Sequence, residues 1–140
     1  MSSKRETILA AVHSALTGTT GVSTRIYRSR VEAFSRDEHP ALVVEPVSDI
    51  PDREAVGRLV WQLTFHVIIL VRADVPDQAA DLIAVDVHSK ITDDPTLNGM
   101  LVDLMPGAVD FQFLDADKPQ GVITLQFRAT YQTGENSITS

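Results

Sequence analysis

From Arg58 to Arg72 every odd position is apolar: Leu59, Trp61, Leu63, Phe65, Val67, Ile69 and Val71 follow without interruption. The even positions are Arg58, Val60, Gln62, Thr64, His66, Ile68, Leu70 and Arg72, polar early and apolar only towards the end. A period of two places alternate side chains on opposite faces of a strand. One face is therefore buried throughout, and the other leaves cover midway. At about 3.3 Å per residue the run spans roughly 46 Å, more than double the usual strand, so it is expected to project or bend.

Before it, Ser3-Lys4-Arg5-Glu6 has capping-box spacing. Ile8, Leu9, Val12 and Leu16 recur at helical intervals up to Gly18, which predicts a helix over Lys4–Thr17. A turn at Thr19–Ser23 leads to a short strand, Arg25–Arg28. The charged stretch from Ser29 to His39 reads as a loop. Ala41-Leu42-Val43-Val44 is apolar on both parities, as a strand buried on both faces would be, and Pro46 is expected to limit its length.

After the long strand, Asp74-Val75-Pro76-Asp77 opens a second helix, with proline tolerated and acids favoured in the first turn. Its buried stripe is Ala80, Ile83, Ala84, Val87 and Ile91, and it stops around Asp93-Asp94-Pro95. Asn98-Gly99 supplies a turn before the apolar stretch Leu101–Met105. Val109, Phe111 and Phe113 alternate with polar residues, as do Ile123, Leu125, Phe127, Ala129 and Tyr131, which predicts two half-buried strands joined by a hairpin over Asp115–Gly121. The order implies an α+β class: a largely antiparallel or mixed β-sheet with two helices packed on one face. The polar even parity of the last strand leaves the other face to meet water or another subunit.

The chain has 140 residues, enough for one cored domain, here 1–140 with a mobile C-terminal tail at 134–140. At 44% hydrophobic and 22% charged the composition is globular, not disordered. Twelve basic against 19 acidic residues give a net charge of −7, which disfavours a broad footprint on nucleic-acid phosphates. The absence of cysteine excludes disulfides, thiolate metal sites and a cysteine nucleophile. The N-terminus lacks an apolar signal segment, which suggests a cytoplasmic product, and the longest apolar run, Val67–Val71, is far too short to span a membrane.

Candidate chemistry is sparse. His13, His39, His66 and His88 never fall at i and i+4, and His66 in a strand is more simply a packed or surface residue than a ligand. Asp86 and His88, with Asp93, Asp94 and Asp103, could supply a hard-cation site; equally, these acids solvate a helix face and decorate a turn. No nucleophile elbow, phosphate loop or dinucleotide fingerprint occurs, so no catalytic, cofactor or metal residues are assigned. Arg25, Arg28, Arg30 and Arg36 form a candidate protein-docking patch, although Glu32, Asp37 and Glu38 dilute it into what also reads as a self-compensating loop. Trp61, the single tryptophan, suits core better than an oligomer anchor.

Taken together, His39-Pro40-Ala41-Leu42-Val43-Val44-Glu45, the Trp61–Val71 strand, the helix end Ile91-Thr92-Asp93-Asp94-Pro95-Thr96-Leu97-Asn98-Gly99 and the closing Phe127-Arg128-Ala129-Thr130-Tyr131-Gln132-Thr133 resemble the tailed-phage tail terminator family, the lambda-type minor tail protein U and related prophage proteins. The resemblance covers most of the chain from about Arg25 to Thr133 and rests on order, length and soft motifs. It implies a non-enzymatic, cofactor-free virion subunit, assembled in the bacterial host cytoplasm, that forms a hexameric ring at the head-proximal end of the tail tube. Its implied partners are itself, the tail tube protein and a head-completion or neck protein, without nucleic-acid or membrane binding. The rivals are another neck or tail-completion protein, or a small α+β enzyme or ligand-binding module using His66, His88 or the acidic cluster, which would need a deep pocket holding those groups.

Overall fold

The computed structural model describes residues 2–30, 38–115 and 117–139. Helix α1 (Lys4–Ala15) starts as its sequence specifies: Ser3 Oγ accepts the Glu6 N–H at 3.1 Å. The Glu6 carboxylate does not complete the capping box; Arg28 holds it with two bonds of 3.1 and 3.0 Å. The helix closes two residues before Thr17 because Thr17 N–H takes the Ser14 carbonyl, tightening the last turn, and Gly18 follows at φ +85°.

Strands β1 (Ile26–Arg28), β2 (Ala41–Ala55), β3 (Arg58–Arg72), β4 (Asp103–Leu114) and β5 (Gln120–Gly134) form one sheet in the order β1-β2-β3-β5-β4. Only β1 and β2 run parallel, so the sheet is mixed and the class is α+β. Strand β3 has the bounds its alternation predicts, and α2 (Pro76–Thr92) has the expected stripe, with Ala80, Ile83, Val87 and Ile91 buried. Both helices pack on the sheet face that carries Leu42, Val44, Phe65, Val67, Ile69, Leu125 and Phe127, and one core joins them. At its start α2 lies so close to β5 that a Cβ on Gly121 would come 2.7 Å from Pro76 Cβ.

Two expectations are corrected. Pro46 does not end β2, which runs on through Pro51 to Ala55. β1 covers β2 only at Leu42–Val44, so beyond that point the outer edge of β2 has no neighbour among the described residues and a missing N–H leaves no ladder bond unmade. Second, Leu101–Met105 and Val109–Phe113 belong largely to one strand, β4, with a register shift between Pro106 and Val109. That strand alternates as expected but is not half-buried: of its residues only Leu104 is buried, because α2 lies over β3 and β5 and stops short of the sheet edge. At the C-terminal end, contacts link residues 134–139 to the strands and to α1. β5 extends to Gly134, Glu135 accepts the Gly57 N–H at 2.9 Å, and Lys4 N–H donates to the Ile138 carbonyl at 2.7 Å.

The long β3 projects, as its length predicts. With β2 it forms a hairpin whose apex, Val56-Gly57, stands in solvent: Val56 is 90% exposed. Gly57 turns the chain at φ +86°, a conformation that L side chains rarely adopt.

Candidate functional site

The sheet edge and the flank of α2 form a groove. Its walls are Asp77, Asp81, Ala84, Val85 and His88 on α2 and Pro106, Val109 and Phe111 on β4; its floor is Ile123, Leu125 and Phe127 of β5. The register pairs Val109 with Leu125 and Phe111 with Ile123, so Val109, Phe111 and Phe113 point to the same side as the core residues of β5. Phe111 and Phe113 stack on each other, with centroids 6.5 Å apart, yet remain 57% and 53% exposed. The void holds about 740 Å³. Alternation on β4 was legible in the sequence; what covers it was not, since that depends on where α2 lands.

The hairpin root is closed instead. Trp61 is half-buried and stacks on Tyr131 at 6.2 Å, and its Nε1–H donates to Thr133 Oγ1 at 2.8 Å. Tyr131 donates its hydroxyl to Asp49 Oδ2, which also accepts from Arg5 Nη1 at 3.1 Å, linking β5, β2 and α1. Burial, and then the bond and charge of Asp49, push the Tyr131 phenol above its ordinary value. Trp61 is thus core-packed at the base of the arm.

The candidate chemical residues are scattered. His13 Nε2 meets the Ile26 carbonyl at 2.9 Å, and His66 sits on the helix-free face 3.9 Å from Glu45. His88 lies in the groove, tilted on the Phe127 ring, with no ring-nitrogen partner among the described residues. Asp86 accepts from the Thr20 N–H and hydroxyl at 2.8 and 3.2 Å, clamping the turn after α1. Asp94 organises its own turn, accepting from Thr96 and from the Asn98 N–H at 2.7 Å, and these bonds hold its carboxyl below the usual range. No group of three metal-ligating side chains occurs among the described residues.

The arginine patch is drawn into its own subunit. Arg28 holds Glu6, lowering that carboxyl through hydrogen bonding and then charge; Arg30 pairs with Glu38 at 2.7 Å and lies over the Tyr27 ring. Arg25 donates to the carbonyls of Pro40 and Gly21 at 2.8 and 3.1 Å. Arg36 lies outside the described residues. Among the described residues no helix is long and apolar enough to cross a membrane. The site with extent is therefore a pair of surfaces: a projecting arm and an apolar groove at the opposite sheet edge.

The family model of phage minor tail protein U matches residues 3–131. The chain belongs to that family. It is a structural protein of the phage tail, as the sequence resemblance implied, and it belongs to the virion. A chain of the virion of a native gene transfer agent particle has a similar fold, with a TM-score of 0.66 at 14% identity over 90% of this chain and 95% of that one. No curated protein sequence matches it as a relative. For a minor tail protein U family member, the unpartnered surfaces carry more information than any cluster of reactive groups.

Proposed function

We propose that this minor tail protein U family member is the tail terminator: a ring of subunits at the head-proximal end of the tail tube that stops tube polymerisation and provides the surface on which the head joins. The observation that carries the reading is the β4 edge. A chain that leaves two stacked phenylalanines exposed on a strand whose outer edge has no neighbour among the described residues, beside an apolar groove, is built to be covered in an assembly. Two different surfaces on one chain suit a head-to-tail contact, and such contacts close into rings when the rotation permits. The ring is hexameric in this reading, forms in the host cytoplasm, and meets the tube protein on one side and a head-completion or neck protein on the other. It works without catalysis or a cofactor. Its net acidity would repel DNA passing through the bore. In the arginine patch, Arg25, bonded among the described residues only to carbonyls, is the group proposed to meet an acidic neighbour.

Deleting the gene from the phage or prophage that encodes it, inducing, and measuring tails by electron microscopy tests the proposal. Overlong tubes without heads are expected, because loss of the growth stop alone predicts abnormal length. Tubes of uniform normal length that fail to join heads would instead mark a neck protein, and normal infectious particles would refute both readings.

A further inference from the structure

We propose that the apex of the β2–β3 hairpin of one copy seats in the α2–β4 groove of the next, Val56 on the apolar floor and Arg58 on the acidic rim; this rests on the ring reading and names its contact. The groove offers an apolar interior rimmed by Asp77, Asp81 and Asp93, none of which has an ion-pair partner among the described residues. The apex offers an apolar tip, Val56, and one cation outside any ion pair among the described residues, Arg58. Val56 is the most exposed large hydrophobic side chain described. Arg58 beside it reaches only the Gln132 amide oxygen, at 3.4 Å, with no carboxylate within ion-pair distance among the described residues. Arg53 is paired with Glu135, whereas Glu54 bonds only the neutral Gln132 Nε2 and Asp52 has no ion-pair partner among the described residues, so the match to the groove is local to Val56 and Arg58.

Size agrees. Val85, Val109 and Phe111 in the groove and Phe113 just beyond its lining are each about half exposed and together present on the order of 400 Å² of apolar surface. A standard interface buries about 800 Å² per partner, with an apolar centre and a polar rim. The groove thus supplies the centre of one, and the flanks of the arm supply the rim. The contact runs through side chains, because Pro46 and Pro51 leave the outer edge of β2 poorly suited to extending a ladder.

The chain has no cysteine, so engineered thiols report without background. Val56→Cys and Val85→Cys stand at exposed positions where the fold tolerates them. Mixing the two single variants under mild oxidation at high protein concentration should give the mixed disulfide at least tenfold in excess of either homodimer. The double variant should give a ladder of linked subunits. Arg58→Asp, built into the Val56→Cys partner, should slow mixed-disulfide formation at least tenfold, and Asp81→Arg in the Val85→Cys partner should restore part of it. Absence of the mixed disulfide while both thiols react freely with maleimide would overturn the docking, as would dominance of the Val85→Cys homodimer, which would mark a two-fold contact at β4. Native mass spectrometry of the unmodified chain separates this outcome from failure of the ring. A closed ring without the mixed disulfide refutes the hairpin contact alone; the mixed disulfide in open chains refutes closure alone.

Discussion

The two long edges of the sheet are built to opposite rules. Along β2, beyond the cover of β1, Pro46 and Pro51 remove donors, register shifts interrupt the strand, and Asp52, Arg53 and Glu54 charge its end. Along β4, from Val109 to Leu114, there is no proline and no basic residue, and two phenylalanines lie open. Proline, charge and irregularity are how proteins keep a sheet edge from pairing with other chains. The first edge is fitted to stand in solvent, whereas on β4 the proline and the irregularity end at Val109 and Asp110 alone charges the strip beyond them, which gains from being covered. The hairpin root and the β4 strip differ likewise: the root is knit to the core by Trp61, Tyr131, Asp49 and Arg5, while the strip touches the core only through its floor.

This division predicts where substitutions act. Phe127, the fully buried floor of the groove, belongs to the core, and Phe127→Ala should cost about 3–5 kcal/mol in denaturant unfolding. A cost near zero would mean that the groove is loosely packed. Gly121→Ala forces apart α2 and β5 and should cost about 1–3 kcal/mol, read as a lower melting temperature. At the hairpin root, Tyr131→Phe removes the donor to Asp49, whose Oδ1 is already buried without a partner, and should cost about 1–3 kcal/mol.

The same root has a pH signature. The folded Tyr131 pKa lies above the unfolded value near 10, so the neutral phenol favours folding. That contribution is complete below about pH 10 and is lost as pH rises through the folded value. Tyr131→Phe should flatten the alkaline arm of the stability curve; an unchanged slope would remove the tyrosine from the account of the root. Smallest of all, Phe111→Ser should cost no more than about 1 kcal/mol, because the side chain is more than half exposed and loses little beyond its stack on Phe113. A large loss would show that β4 serves the fold rather than the assembly.

The comparison also explains how much the sequence could reveal. Strand β3 and helix α2 were legible because each has an uninterrupted period, of two and of 3.6 residues, that burial enforces. The outer half of β2 was hidden because Pro46 stops a strand only where a neighbour needs its N–H, and no neighbour is there among the described residues. At β4 the pattern of Val109, Phe111 and Phe113 gave the strand but not its exposure, which is set by the reach of a helix nearly twenty residues earlier in the chain. The arginines near β1 were visible as a cluster, and Glu38 as one of the acids that compensate it, whereas Glu6 on α1 meets Arg28 only in the fold. The groove itself had no sequence signal beyond alternation, and neither did the hairpin apex beyond the glycine after Val56.

The most direct test of an assembly role for the β4 edge is complementation of the deleted gene by Phe111→Asp, a variant whose folding and abundance are verified first. Electron microscopy of the lysate should show overlong tubes without heads, as in the deletion. Tails of normal length joined to heads in infectious particles would contradict the reading, because they would mean that the exposed β4 surface takes no part in stopping the tube.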